Sequence, residues 1–535
     1  MFPLKVGAFM AAITIFPLFH SIFAEDAPNP PQALAFHGSD WPDFDAHVRR
    51  WSSYSAPKFT GVFKPKTEDE LSQDVAYLAK TKQRFLATKA GGHGNSPTLG
   101  TTYDEVVQVN MENFRHVVFG KEGGEVTVTV GGGARMQDII PRLHAEGREM
   151  SKFSPVGSFP CVGTHGVLLG GGMGRLMGKH GLMIDSLLRI KVALWNGTIV
   201  EASETSHSDL FWGMRGAGHN FGVVIESTFK TYPDEGGMHY NADMVFTDNS
   251  IDGVLETAKE VIEAGLDPSV FLILGYLFDA TAMKPVLFIN IVSAHDTEAG
   301  KSVSAKFASS ASITRTHFNE TLITFAELGS GAALPGVCAN SLSQDLYTAS
   351  SPSLFSPESM KAVYASYSSF VSANPAANRS ILLFEAASPH VIASVPDEST
   401  AYPHRGKMIT NAIIQVTWDD ESLNEVADGW GRETRNVLAK PENSGYEKLY
   451  AYINYANRDE PLQALFGYEE WRWERLSKLK REYDPEGYFD GYHGIPRVVE
   501  GWTSSTGQTE GQRQGAGGGG GDDGRLPKTT PHEEL

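Results

Sequence analysis

FLATKAGGHGNSPTLG, residues 85–100, runs from a strand-like segment, Phe85–Thr88, into glycines on both sides of His93. A titratable imidazole on so permissive a backbone calls for a reason, because glycine costs conformational entropy unless the chain must approach something closely. Upstream, Thr60–Phe63 reads as a strand. Thr67-Glu-Asp-Glu70 reads as a capping box opening a helix with Leu71, Val75 and Leu78 on one face. Downstream the plan repeats: strand Val126–Val130, a turn at Gly131–Gly133, and a helix that aligns Met136, Ile139, Ile140 and Leu143. VLLGGGMGRLMG (167–178) and DLFWGMRGAGHNFG (209–222) add further glycine clusters around strands at 190–194 and 198–201, before a strand at 223–232. Glycine is so dense from 91 to 222 that the backbone is expected to approach a ligand closely more than once.

The pattern changes after Pro233. Residues 240–420 alternate helical stretches such as 251–264 with strands at 270–277, 285–292 and 409–418, without glycine clusters, which predicts a second, α+β domain. The closing segment contains YAYINY (450–455) and a helix over 468–483 that stops at Asp484-Pro485. From 501 to 535 the low-complexity sequence predicts a disordered tail.

A chain of 535 residues, 41% hydrophobic, suffices for two sizeable domains. Its net charge of −19 repels phosphate backbones and anionic lipid, so nucleic acid is not an expected partner. Residues 1–24 carry one lysine, an apolar run from Val6 to Phe19 and a cleavable Ala24, the plan of a secretory signal peptide; Pro17 and His20 interrupt the run too early for a membrane anchor. No later segment is apolar for long enough to span a bilayer, so no membrane association is expected after cleavage. Asn196, Asn319 and Asn378 head glycosylation acceptors. The terminal His-Glu-Glu-Leu reads equally as a relaxed ER-retention signal and as the acidic end of a tail, so secretion and the ER lumen both stand. Two cysteines, Cys161 and Cys338, permit at most one internal disulfide and no metal site of the Cys/His type. Hydrolase, zincin and P-loop motifs are missing, and Gly172-x-Gly174-x-x-x-Gly178 misses the Rossmann spacing by one residue.

Taken together, the stretches resemble FAD-linked oxidases of the p-cresol methylhydroxylase/vanillyl-alcohol oxidase type, in the berberine-bridge-enzyme-like branch of the oxygen-dependent FAD-linked oxidoreductases. Lys89-Ala-Gly-Gly-His-Gly-Asn95 stands where that family writes R-S-G-G-H-S-Y. Residues 157–166 and 170–174 stand for G-x-C-P-T-V-G-x-G-G and G-G-G-x-G. The match continues through 209–222, Pro403-His-Arg405, Tyr452-x-Asn454-Tyr455 and Asp484-Pro-x-x-x-Phe489, in order, from about 57 to 495.

The resemblance implies an α+β fold: a split PCMH-type FAD-binding domain over 57–236, an inserted α+β substrate domain over 237–444, and a segment at 445–495 that returns to the first. It implies FAD bound covalently through a ring nitrogen of His93. Phe159 stands where bicovalent relatives have cysteine, so a single attachment is expected, with Cys161 inert. Lys89, Ala90, Gly91, Gly92, Gly94, Asn95, Phe159, Val162, Gly163, Gly166, Gly172, Gly174, Gly222, Val223 and Asn454 are the cofactor-binding candidates. Adenine and pyrophosphate would lie on the glycine turns, and the isoalloxazine at the domain junction. Ile413 occupies the family's usual base position, and alternation puts Asn411, Ile413 and Gln415 on one strand face, so Asn411 and Gln415 become catalytic candidates and the base is left open. Tyr452 reads equally as a substrate-bordering phenol and as a core tyrosine, with Asn454 on the same strand face; His404 reads as structural. Val162 matches the oxidase setting, implying O2 as acceptor and hydrogen peroxide as product. The expected substrate is a small-molecule alcohol or secondary-metabolite intermediate, oxidised by a monomer. A carbohydrate oxidase, a non-catalytic flavoprotein and a nicotinamide dehydrogenase are the rivals.

Overall fold

Strand–helix–strand alternation near the start of the chain closes into a four-stranded sheet, ordered Phe36–Gly38, Phe59–Phe63, Val106–Asn110, Phe85–Thr88. The structure is a computed structural model that describes Leu34 and residues 36–503, except 89–90, 101, 104, 151–159, 310–312, 325–326, 328–337 and 339–341. The expected signal peptide, Lys89, Ala90, Phe159 and the terminal His-Glu-Glu-Leu therefore lie outside the described residues. Thr67 caps helix Glu68–Lys80 by accepting the Glu70 N–H at 3.2 Å. Leu71, Val75 and Leu78 of that helix pack on Phe63, Phe85, Val107 and Val109 of the sheet. The outermost strand, Phe36–Gly38, lies ahead of residue 57; at three residues it is too short for periodicity to reveal.

A five-stranded antiparallel sheet follows, in the order Val117–Glu122, Glu125–Gly131, Val223–Lys230, Leu187–Ala193, Ile199–Ser203. Helix Met136–Ala145 buries Met136, Ile139, Ile140 and Leu143. The turn between is glycine for a steric reason: a Cβ on Gly132 would sit 2.0 Å from the Val224 carbonyl oxygen, and one on Gly133 1.8 Å from that of Met111.

The remainder is built on a seven-stranded antiparallel sheet, ordered Arg315–Thr324, Met238–Phe246, Lys284–Ala294, Val270–Asp279, Ile381–Ala387, Thr410–Trp418, Ser343–Ser351. Helices Thr297–Ser309, Pro357–Ala373 and Asn424–Leu438 cover one face. The period of two divides the strands cleanly. Leu272, Leu274, Leu382, Phe384 and Ile414 join the core under these helices. Phe271, Ile273, Leu346, Ile381, Leu383 and Ile413 join the core of the glycine-rich half. A sheet sandwiched in this way can offer its second face to a ligand. The α+β class and the split FAD-binding fold are those expected.

Two local expectations are corrected. YAYINY makes no strand; Ile453–Tyr455 is a 3-10 turn, so Asn454 and Tyr452 are brought together by a turn and not by strand alternation. The disordered tail expected from 501 does not include Trp502, which is buried, donates to Ser477 Oγ at 2.9 Å and stacks on Trp473; residues 504–535 lie outside the described residues. Among the described residues no helix is long and apolar enough to cross a membrane.

Cys161 and Cys338 form a disulfide that spans 177 positions. Closing so long a loop removes denatured-state entropy worth up to about 5 kcal/mol. Cys338→Ser is therefore expected to lower stability by about 2–5 kcal/mol, read as a fall in the denaturant midpoint. An unchanged midpoint would show that the bridge does not constrain the unfolded chain.

Candidate active site

A cavity of about 320 Å³ opens between the glycine-rich half and the free face of the large sheet. Gly91, Gly92, His93, Gly94, Val162, Gly163, Gly166, Gly222 and Val223 form one wall. Leu346, Ile381, Leu383, Ile413 and Gln415 form the other, and Tyr452, Asn454, Tyr455 and Tyr492 close the space between them.

His93 reaches the cavity because its loop carries no Cβ where the chain is tightest. A side chain on Gly91 would lie 2.2 Å from the Cys161 carbonyl oxygen, and Gly92 adopts a φ of +70°. The indole of Trp51 stacks on the imidazole at 5.2 Å between centroids. Burial, with the nearby Arg50 and Arg135 charges, lowers the His93 pKa to about 3, so the ring is neutral at physiological pH. Its Nε2 is buried and has no hydrogen-bond partner among the described residues. An unbonded buried nitrogen normally costs about 1–3 kcal/mol. A neutral imidazole with an unused nitrogen, set in a glycine cradle and facing an aliphatic wall, fits a flavin held covalently.

Tyr452 has the most unusual surroundings. Its oxygen accepts hydrogen bonds from Gly172 N–H at 3.0 Å, Met173 N–H at 3.1 Å and Asn454 Nδ2 at 2.7 Å. The second Asn454 amide hydrogen goes to the Val167 carbonyl at 2.8 Å, which fixes the side chain. Burial raises the phenol, the three donors oppose it and the Glu385 charge adds to it, leaving the group pushed up to about 12. A hydroxyl has two acceptor lone pairs and one hydrogen to place. Three donors on one oxygen suit the phenolate better than the phenol.

Glycines 172 and 174, two of the expected cofactor-binding residues, stand outside the cavity lining. The Gly172 N–H is spent on Tyr452, the Gly174 carbonyl accepts from Met177, and neither residue lines the cavity. At Gly172 and Met173 this turn gives its N–H groups to a side-chain oxygen. Asn95, expected beside the cofactor, is not among the residues lining the cavity; its Nδ2 donates to the carbonyls of Ala456 at 3.2 Å and Leu346 at 3.4 Å, bracing three segments.

On strand Thr410–Trp418, Ile413 and Gln415 line the cavity and Asn411 does not. The Asn411 Oδ1 accepts from Thr348 Oγ1 at 3.1 Å and Ser350 Oγ at 3.0 Å, which leaves only a donor end and no proton acceptor. Gln415 donates to Gln344 Oε1 at 3.1 Å and Thr417 Oγ1 at 3.2 Å, fixing its amide at the wall. His404 is buried with Nε2 3.1 Å from the Ala451 carbonyl oxygen. Glu385 escaped the sequence reading. It pairs with Asn411 across the sheet, and its charge raises both Tyr452 and Tyr455. The available signal was phase: in Ile381–Ala387 it follows Ile381 and Leu383 at the period that faces the cavity.

Residues 59–203 match the family described as FAD binding domain, and 451–496 the one described as Berberine and berberine like. The FAD-linked oxidoreductase OXR1 of Pyricularia oryzae is 33% identical over 490 residues, covering 89% of this chain and 92% of its own. Physcomitrella patens BBE-like 1 superposes with a TM-score of 0.73 at 18% identity, over 87% of this chain and 97% of that one. A glucooligosaccharide oxidase of Acremonium strictum, whose structure is said to reveal a novel flavinylation, gives 0.71 at 19%, over 87% and 96%.

Proposed function

The chain belongs to the FAD-linked oxidoreductases with a berberine-like C-terminal segment, and on that premise we propose that it is an oxidase of a small-molecule alcohol or secondary-metabolite intermediate, acting in the cavity lined by His93 and Tyr452. Bound FAD supplies a hydride acceptor that O2 reoxidises, with hydrogen peroxide as product. His93 tethers the cofactor through its ring as the one covalent attachment, and the glycines at 91, 92 and 94 let the backbone lie against it. Tyr452 takes the proton of the substrate hydroxyl onto its phenolic oxygen, while the N–H groups of Gly172 and Met173 and the amide of Asn454 stabilise the charge it carries beforehand. Gln415, its amide nitrogen held by Gln344 and Thr417, offers its carbonyl oxygen as an acceptor that orients the substrate. Leu346, Ile381, Leu383 and Ile413 pack its carbon skeleton and exclude water.

The observation that carries this reading is the triply donated oxygen of Tyr452, a residue that lines the cavity together with Leu346, Ile381, Leu383 and Ile413. Such a wall favours an apolar intermediate over an oligosaccharide, whose hydroxyls need polar partners. Chain segments 57–236 and 445–495 would hold the cofactor, with 237–444 over the substrate. The expected signal peptide assigns the monomeric enzyme to the secretory pathway, in keeping with its disulfide.

The test is peroxide release by the purified protein with a panel of apolar alcohols and of oligosaccharides. Peroxide from apolar alcohols supports the proposal. Peroxide from sugars alone would establish the carbohydrate oxidase instead, and ligand binding with no peroxide from any substrate would mean a non-catalytic flavoprotein.

A further inference from the structure

Four imidazoles and two carboxylates, none of them lining the cavity, gather where the glycine-rich half meets the large sheet. Glu149 lies on the short strand Arg148–Glu149, paired with Tyr232–Pro233, which Asp234 follows directly. His239 lies on Met238–Phe246, opposite Ala294 of the neighbouring strand, and His295 comes next after Ala294. Ligand-type atoms of Glu149, Asp234, His239 and His295 all lie within 4.8 Å of one another. His295 Nε2 is 2.7 Å from Glu149 Oε2 and 3.7 Å from Asp234 Oδ1, and His239 Nε2 is 3.8 Å from the same Oδ1. Ligand atoms around a tetrahedral ion with bonds of about 2.0 Å stand roughly 3.3 Å apart, so the observed spacings bracket such a site.

Two further observations point to a cation. The Asp234 side chain is only 3% exposed, and its Oδ1 faces two imidazoles with no hydrogen bond among the described residues. A buried carboxylate oxygen left so is costly, and an ion between it and the rings removes the cost. Outer partners are also in place. His180 Nε2 lies 2.6 Å from the other Glu149 oxygen, with its ring stacked on Tyr232 at 3.9 Å, and His144 Nδ1 lies 3.7 Å from Asp234 Oδ2. Partners of this kind orient metal ligands.

We propose that Glu149, Asp234, His239 and His295 bind one divalent transition-metal ion, with zinc the best match to two imidazoles and two carboxylates, and that the ion pins the two halves of the molecule together. The ligands divide two and two: Glu149 and Asp234 from the glycine-rich half, His239 and His295 from the large sheet. The site shares no residue with the cavity, so its occupation is independent of the oxidase reading.

The full-length, flavin-loaded protein is incubated with zinc and dialysed, and bound metal is measured by elemental analysis alongside the thermal midpoint. The expected result is close to one zinc per chain, a midpoint that rises with zinc, and four nitrogen and oxygen neighbours in zinc-edge X-ray absorption. The double variant His239→Ala/His295→Ala should lose both the metal and the shift, and His180→Gln should weaken binding by about 10- to 100-fold. Zinc retained equally by wild type and the double variant, or no zinc retained by folded wild type, overturns the proposal. If the double variant does not fold, Glu149→Gln serves in its place, and the wild-type absorption spectrum decides whether the ligands are of this type.

Discussion

Tyr452→Phe is expected to slow reduction of the flavin by substrate by about 10²- to 10⁴-fold, the range for losing a positioned proton acceptor, with substrate affinity little changed. The variant keeps the ring in place and removes only the oxygen on which Gly172, Met173 and Asn454 converge. Anaerobic stopped-flow bleaching of the flavin reads the step directly. With a phenol pushed up to about 12, the acceptor form is the minor one at neutral pH. Below that value its population rises about tenfold for each unit by which the pH increases. Wild-type reduction should therefore accelerate with pH through the alkaline range, and the phenylalanine variant should be flat over the same range. Asn454→Leu removes one of the three donors, so the phenol should rise further and the neutral-pH rate fall in between. Unaltered bleaching in Tyr452→Phe would return this residue to the core.

His93→Ala is expected to abolish all flavin fluorescence that travels with the chain in a denaturing gel. The loss should be complete because no second attachment is on offer. Position 159 is phenylalanine, and the two cysteines of the chain, Cys161 and Cys338, are bonded to each other. The neutral imidazole explains how His93 could react in the first place, since its low pKa leaves a ring nitrogen free to bond at any physiological pH. Flavin still bound to the chain in the variant would show another attachment point. Flavin released from wild type by acid would show that the cofactor is held without a bond.

Several elements were legible because local chemistry alone dictates them. The helix with Met136, Ile139, Ile140 and Leu143 on one stripe forms as Met136–Ala145, and the strand expected at 409–418 forms as Thr410–Trp418. Alternation also put Asn411, Ile413 and Gln415 in phase, since the period of two is a property of any extended chain. It could not say which of the three reaches the cavity. That depends on the hydroxyls of Thr348 and Ser350, which belong to another strand and hold the Asn411 carbonyl.

By itself, then, the sequence determined the α+β class, the FAD-linked family through its ordered glycine and histidine motifs, and His93 as the residue worth testing first, because each is carried by neighbours along the chain. Only the tertiary structure decided that the Gly172 N–H meets the Tyr452 phenol, that Cys161 is bonded to Cys338, that Glu385 lies close enough to bear on Tyr452, and that Glu149, Asp234, His239 and His295 meet. The physical reason is common to all four. Hydrogen bonds, disulfide bonds and charge interactions act over a few ångströms in space, and residues far apart in a chain come within that range only when packed sheets bring them there.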